Sequence, residues 1–270
     1  MPKAVEISYV VYDSTDLDQT ESFMKDFGLV TAERTPELLY MRGAGTVPYL
    51  YVARRAAHNG FAGAALDVQS RADLEALAGL PGSSAVEPNP GPGGGWRVRM
   101  RTPNDVPIDA VWGREPAPAI PMRAPNPYNW ASVKSRVNFS LRPKREPGLV
   151  MRLGHFGLRV TNHDESVAWF RDRFGMVDSD YLCVPGDESR VIGTFLRFDQ
   201  GVALVDHHSM LITQSRDPND TGVHHHSYEM QDIDVLFGAH DWLKAQGREL
   251  ECGVGRHLVG SQIFDYWRDP

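Results

Sequence analysis

Cysteine is scarce: Cys183 and Cys252 are the only two in 270 residues. So few thiols exclude a disulfide framework and a four-cysteine zinc module, and a reduced, cytoplasmic setting is the simplest expectation. Long apolar runs are also missing. Nothing approaches the roughly 18 consecutive apolar residues that mark a membrane helix, and the opening MPKAVEISYVVYDSTD lacks the apolar stretch of a secretion signal. There is no excess of positive charge. The 28 Lys and Arg are outnumbered by 35 Asp and Glu, for a net charge of −7 and a pI near 5.8. That balance argues against nucleic acid or an anionic membrane as partner, while leaving small anionic substrates open. What is present suffices for a real core, since 41% of the residues are hydrophobic. The length fits one large domain or two ordinary ones.

One segment interrupts the pattern. Residues 114–148, REPAPAIPMRAPNPYNWASVKSRVNFSLRPKREPG, are dense in proline and weak in apolar periodicity. They are expected to form an irregular connector between an N-terminal module, 1–113, and a C-terminal module, 149–270.

The two sides repeat each other. ISYVVYDSTDLDQTESFMKDFGLV (7–30) and LGHFGLRVTNHDESVAWFRDRFGMV (153–177) share an alternating strand, an acidic turn and an amphipathic helix ending in Phe-Gly. In the second copy Asp164 is the expected cap, Val167, Phe170 and Phe174 the buried stripe, and Gly175 the stop. Within each module the pattern recurs: GFAGAALDVQSRADLEAL (60–77) resembles GVHHHSYEMQDIDVLFGA (222–239), and RMRTP (99–103) resembles YWRDP (266–270). Each module therefore holds two copies of strand, helix and further strands, a repeat too long for a solenoid.

Strand alternation decides which side chains share a face. In LGHFGLRV, Phe156, Leu158 and Val160 form an apolar side, leaving His155, Gly157 and Arg159 on the other. Laying HHSYEMQDID (225–234) on HFGLRVTNHD (155–164) puts His225 on His155. His225, Ser227 and Glu229 then share the polar side, while His226, Tyr228 and Met230 face the helices. Two histidines at equivalent positions of related strands can point at one spot. His224 and His226 are expected to be packing or surface residues. His58, His163 and His240 are expected at the surface, Trp169, Trp242 and Phe170 in the core, and Arg159 is a candidate partner for Glu229.

Over nearly its whole length the chain resembles the vicinal oxygen chelate superfamily, and within it the two-module extradiol ring-cleaving dioxygenases. The resemblance rests on His155 in LGHFGLRV, His225 in VHHHSYEM, His208 in VDHHSMLI, and the spaced pair of His257 in GRHLVGS and Tyr266 in FDYWRDP. It implies an α+β fold of two modules, each of two βαβββ units curled into a half-open barrel. It also implies Fe(II), with Mn(II) as an alternative, held by His155, His225 and a glutamate. His208 would act as acid/base, and His257 and Tyr266 would be polar contacts of the substrate; His207 remains the alternative to His208. The implied reaction is ring cleavage of a catechol-type aromatic with O2.

Two features depart from that pattern. The residue before the tyrosine, apolar in the family, is Asp265. The third ligand, a glutamate about six residues after the Asp-Pro, would lie beyond Pro270, so the C-terminal module is expected to lack its last strand. In the N-terminal module Tyr9 and Gly63 stand at the two histidine positions and Asp109 at the acidic one. That module is expected to hold no metal and to serve structurally, closing the second site or forming a homo-oligomer contact. A glyoxalase-like isomerase and a non-catalytic small-molecule binder of the same fold remain competing functions.

Overall fold

The computed structural model describes residues 1–142 and 144–270; Pro143, within the expected connector, lies outside the described residues. The first half reads β1 (Ala4–Ser14), α1 (Leu17–Phe27), β2 (Val30–Arg34), β3 (Leu38–Arg42) and β4 (Tyr51–Arg55). The pattern then repeats as β5 (Gly60–Val68), α2 (Arg71–Ala78), β6 (Glu87–Pro88), β7 (Trp96–Arg101) and β8 (Pro107–Trp112). These are two complete βαβββ units, as the family resemblance implies. They merge into one eight-stranded sheet of order β2-β3-β4-β1-β5-β8-β7-β6. β1 pairs antiparallel with β5, and each unit closes with a parallel contact, β1 with β4 and β5 with β8.

The second half opens in the same way. β9 (Val150–Val160), α3 (His163–Phe174), β10 (Val177–Val184), β11 (Asp187–Arg197) and β12 (Met210–Gln214) precede β13 (Gly222–Met230), α4 (Ile233–Ala245), β14 (Leu250–Arg256) and β15 (Ile263–Trp267). Five strands pair in the order β10-β11-β12-β9-β13. β14 and β15 form a separate two-stranded sheet, with no described strand between β13 and β15 in the place that β8 takes between β5 and β7.

Local chemistry explains the helices. Asp16 accepts from the Asp18 and Gln19 N–H groups, both at 3.0 Å, and Gly28 ends α1 in the left-handed conformation. Asp232 caps α4 through the Val235 N–H at 3.0 Å. On α3, Val167, Phe170 and Phe174 are buried as one stripe and Gly175 ends the helix, as the spacing predicts. Asp164 is not the cap: Asn162 holds that position without a side-chain bond, and Asp164 lies inside the first turn next to His163 Nδ1, at 2.8 Å. His163 is buried, because the first turn of α3 lies over the sheet and places its Nε2 3.0 Å from Thr194 Oγ1. The surface expectation fails there, and it fails again for the half-buried His240 described below. Trp169 and Phe170 lie in the core and His58 is exposed, as expected.

The core is continuous across both sheets. Leu66, Ile108 and Met41 from the first join Phe156, Leu158 and Val160 from the second in one cluster. No helix is long and apolar enough to cross a membrane among the described residues. The backbones of the two halves are in direct contact where Gly28 faces Gly148: a side chain at Gly28 would place its Cβ 1.7 Å from the Gly148 carbonyl oxygen, and Val150 N–H donates to Gly28 O at 3.0 Å. Gly28 also has φ of 112°. Gly28→Ala should therefore lower stability by more than about 1 kcal/mol, the cost of an alanine at positive φ alone. Urea denaturation checks this, and an unchanged midpoint would show that the junction adapts.

Candidate metal centre

β13 pairs antiparallel with β9, setting His225 opposite Gly157, His226 opposite Phe156 and Ser227 opposite His155. The register shifts between Val223 and His225, so His224 is an extra residue in the ladder. Strict alternation would place His224 with His226; the bulge instead turns its ring towards His225. Gly157 makes room for the His225 imidazole, since a Cβ there would lie 3.1 Å from His225 Cε1. His226, Tyr228 and Met230 face the opposite way, as alternation predicts: Tyr228 and Met230 pack on the core, and His226 lies near the Tyr12 and Tyr228 rings.

The result is a pair of imidazoles aimed at each other. His155 Nε2 and His225 Nε2 are 2.8 Å apart. Their other nitrogens have partners. Ser227 Oγ lies 2.8 Å from His155 Nδ1 and also accepts the His155 backbone N–H at 3.1 Å. His224 Nδ1 lies 2.6 Å from His225 Nδ1. Partners at Nδ1 favour keeping the ring proton there and leave both Nε2 lone pairs facing one point. Two imidazole nitrogens each about 2.1 Å from a divalent ion and at right angles around it would be roughly 3 Å apart. The donor pair therefore fits a metal ion. Among the described residues no group of three or more His, Cys, Asp or Glu could hold one.

The remaining candidates surround this pair, lining one cavity of about 1200 Å³. The His208 ring lies 4.5 Å from that of His155 and against Phe195, whereas His207 is more exposed and approaches Asp180. Between these neighbours it is His208 that stands beside His155. His257 Nε2 and Tyr266 Oη are 3.0 Å apart, and the Tyr266 and His225 rings lie 5.8 Å apart. All five side chains singled out from sequence thus meet in one place.

Burial dominates their protonation. It holds His155 well below the ordinary imidazole range, reinforced by His225 and His208. Burial, then the neighbouring histidines, push His225 down to about 3, and burial and His207 push His208 down to about 4. All three are neutral at pH 7, the form that binds a metal or accepts a proton. Burial raises the Tyr266 phenol, so it remains a donor.

Several contributors were not apparent in the sequence. Arg152 donates to Glu229 Oε2 at 2.5 Å, Asp206 Oδ2 at 2.6 Å and Glu6 Oε1 at 3.4 Å, tying β13, the loop before His208 and the first sheet together. Glu229 therefore pairs with Arg152 and not with Arg159, which reaches Asp220 at 2.7 Å; the shifted ladder sets Arg159 opposite Gly222. Gln262 Nε2 lies 3.4 Å from His208 Nδ1. The Ser227 and His224 roles carried one usable signal, their place beside and two residues past His225.

The first sheet arranges the equivalent positions differently. Tyr9 Oη donates to Asp109 Oδ2 at 3.2 Å, and Arg97 Nη1 donates to the same oxygen at 3.3 Å. A guanidinium stands there against the carboxylate delivered by β8. Gly63 holds a φ of 137° with Pro107 O packed where a side chain would begin.

Residues 152–270 match the family model described as Glyoxalase/Bleomycin resistance protein/Dioxygenase superfamily. The chain is 24% identical over 186 residues to a manganese-dependent 2,3-dihydroxybiphenyl 1,2-dioxygenase of Geobacillus genomosp. 3, covering 68% of this chain and 54% of that protein, so it spans about half of that relative's length. It is 27% identical over 274 residues to metapyrocatechase 2 of Cupriavidus necator, covering 98% and 77% of the two chains. The fold superposes on the Mn(II)-bound glyoxalase from Novosphingobium aromaticivorans with a TM-score of 0.79 and 24% identity, over 100% of this chain and 80% of the other.

Variants separate the histidines. His225→Ala should abolish Mn(II) binding, whereas His226→Ala should leave it largely intact. Ser227→Ala should weaken it by about 10- to 100-fold, the usual cost of losing a ligand's orienting partner, with Ser227→Thr restoring it. Isothermal titration reads all four, and loss on His226→Ala would mean that the β13 register is off by one.

Proposed function

Starting from residues 152–270 as a domain of the Glyoxalase/Bleomycin resistance protein/Dioxygenase superfamily, we propose that this chain is an extradiol dioxygenase. It would cleave the ring of a catechol-type aromatic next to its vicinal diol, incorporating both atoms of O2. The observation that carries this reading is the facing His155 and His225 Nε2 pair, 2.8 Å apart, within a cavity also lined by His208, His257 and Tyr266. Relatives named as a 2,3-dihydroxybiphenyl 1,2-dioxygenase and a metapyrocatechase support the reaction class.

His155 and His225 hold the metal. Fe(II) is the proposed ion, and Mn(II) accepts the same donors; one of the relatives is named as manganese-dependent. When bound, such an ion supplies the chelation of two adjacent substrate oxygens and the chemistry of O2.

The protein's own groups orient the substrate and move protons. His208, neutral because it is buried, accepts a proton from a substrate hydroxyl and returns it later in the cycle. Tyr266 and His257, joined at 3.0 Å, hydrogen-bond substrate oxygen from the hairpin side. Ser227 and His224 hold the two ligand rings. The β9 face bearing Phe156 and Leu158 is closed by core, so substrate approaches from the opposite side of the sheet.

Anaerobic loading with Fe(II), removal of excess metal, and addition of catechols followed by air should give a yellow ring-opened product, with about one iron retained per chain. His208→Phe should retain iron and lose most turnover, roughly 100-fold or more. Iron bound with no product from any vicinal diol would sink the dioxygenase reading. No iron retained at all would favour a non-catalytic binding protein.

A further inference from the structure

His257 and Tyr266 are carried by a hairpin whose strands, β14 and β15, pair only with each other among the described residues. The main sheet therefore does not set where these side chains stand. Alternation along β15 shows what does. Phe264 and Tyr266 point one way and pack around His257, with ring centroids 4.2 and 5.9 Å from it. Asp265 and Trp267 point the other way, towards α4.

On that side both Asp265 carboxylate oxygens lie 3.0 Å from His240 Nδ1, and Trp267 Nε1–H donates to Asp265 Oδ2 at 2.7 Å. The His240 and Trp267 rings are 5.5 Å apart. Only 4% of the Asp265 side chain is exposed, and 17% of that of His240. A carboxylate this shielded depends on its donors, because an unpartnered buried acid is strongly disfavoured. The contact is directional and joins the centre of β15 to the middle of α4. Apart from this contact and the 3.4 Å approach of Gln262 to His208, no side-chain hydrogen bond among the described residues runs from β15 or the turn before it to the second sheet or α4.

We propose that His240, Asp265 and Trp267 form a latch that positions the hairpin, so that Tyr266 and His257 stand over the His155–His225 pair. Asp265 adjoins Tyr266, so whatever fixes one carboxylate on α4 fixes the phenol on the opposite face. This assignment makes His240 and Asp265 positioning residues. It rests on the reading that Tyr266 and His257 contact substrate. It also accounts for an acid at a position where the family resemblance leads to an apolar side chain: the carboxylate is turned to His240 on α4.

The test uses the full chain with Asp265→Leu, His240→Phe and Asp265→Asn, plus Trp267→Phe as the mildest change should the first two not fold. Hydrogen exchange read by mass spectrometry should accelerate about tenfold or more across 250–267 in Asp265→Leu and His240→Phe, while 150–160 and 222–230 keep wild-type rates. Mn(II) affinity should stay at the wild-type value. Turnover of the best diol should fall about 10- to 100-fold through kcat, as expected when catalytic groups are misplaced by about an ångström. Asp265→Asn, which keeps an acceptor for both donors, should recover most of kcat, and Trp267→Phe should show a smaller acceleration of the same segment. Wild-type exchange of the hairpin in Asp265→Leu and His240→Phe would overturn the latch. So would equal acceleration throughout the second half, which marks a general stability role. Acceleration confined to the hairpin supports the latch even if the wild-type chain turns over no diol, in which case it is the dioxygenase reading that fails.

Discussion

The site depends on how β13 is registered against β9. A strand slipped by one residue exchanges its two faces, and here that would turn His225 away from His155 and bring His226 to its side of the sheet. Three local features hold the register. Phe156, Leu158 and Val160 are buried on one side of β9. Ser227 bonds both the backbone and the ring of the residue it faces. Gly157 leaves a gap that the His225 ring fills. The bulge at His224 then adds a second imidazole on the same side, and the ladder stays in register from His225 to Ser227.

That register has an electrostatic consequence. Two imidazoles whose Nε2 atoms are 2.8 Å apart cannot both be charged, and burial already disfavours the charged form. The fold thus keeps a neutral, electron-rich pair in a shielded cavity, which is a costly arrangement unless something positive sits between the rings. His208 shares this environment, so one physical cause, loss of solvent, keeps all three imidazoles neutral. Arg152 supplies the counterweight outside the pair, gathering three carboxylates from parts of the chain far apart in sequence.

Much of this was legible in the residues. The doubled helix-ending Phe-Gly motif pointed to repeated units of strand, helix and further strands, because the helix stripe and the glycine stop are local signals that need no tertiary context. The pairing of His155 with His225 followed from alternation combined with repetition. What escaped the sequence is what depends on contacts between elements. The His224 bulge is invisible to strict period-two reasoning, and Arg159 lost its expected partner to the register shifts in β13. His163 and His240 look like surface residues in a helical pattern, yet each meets a partner on another element, Thr194 and Asp265. Asp265 looked like a misplaced acid only because the direction of its side chain was unknown.

The first sheet offers a contrast within the same chain. Where the second sheet gathers facing neutral imidazoles, the first places the Arg97 guanidinium against Asp109 and Tyr9. Its cation is part of the polypeptide and cannot be washed out, exchanged or oxidised. A chelator would leave that arrangement untouched. That half of the molecule carries its own counter-charge, and the shared core joins it to the half that bears the facing imidazoles.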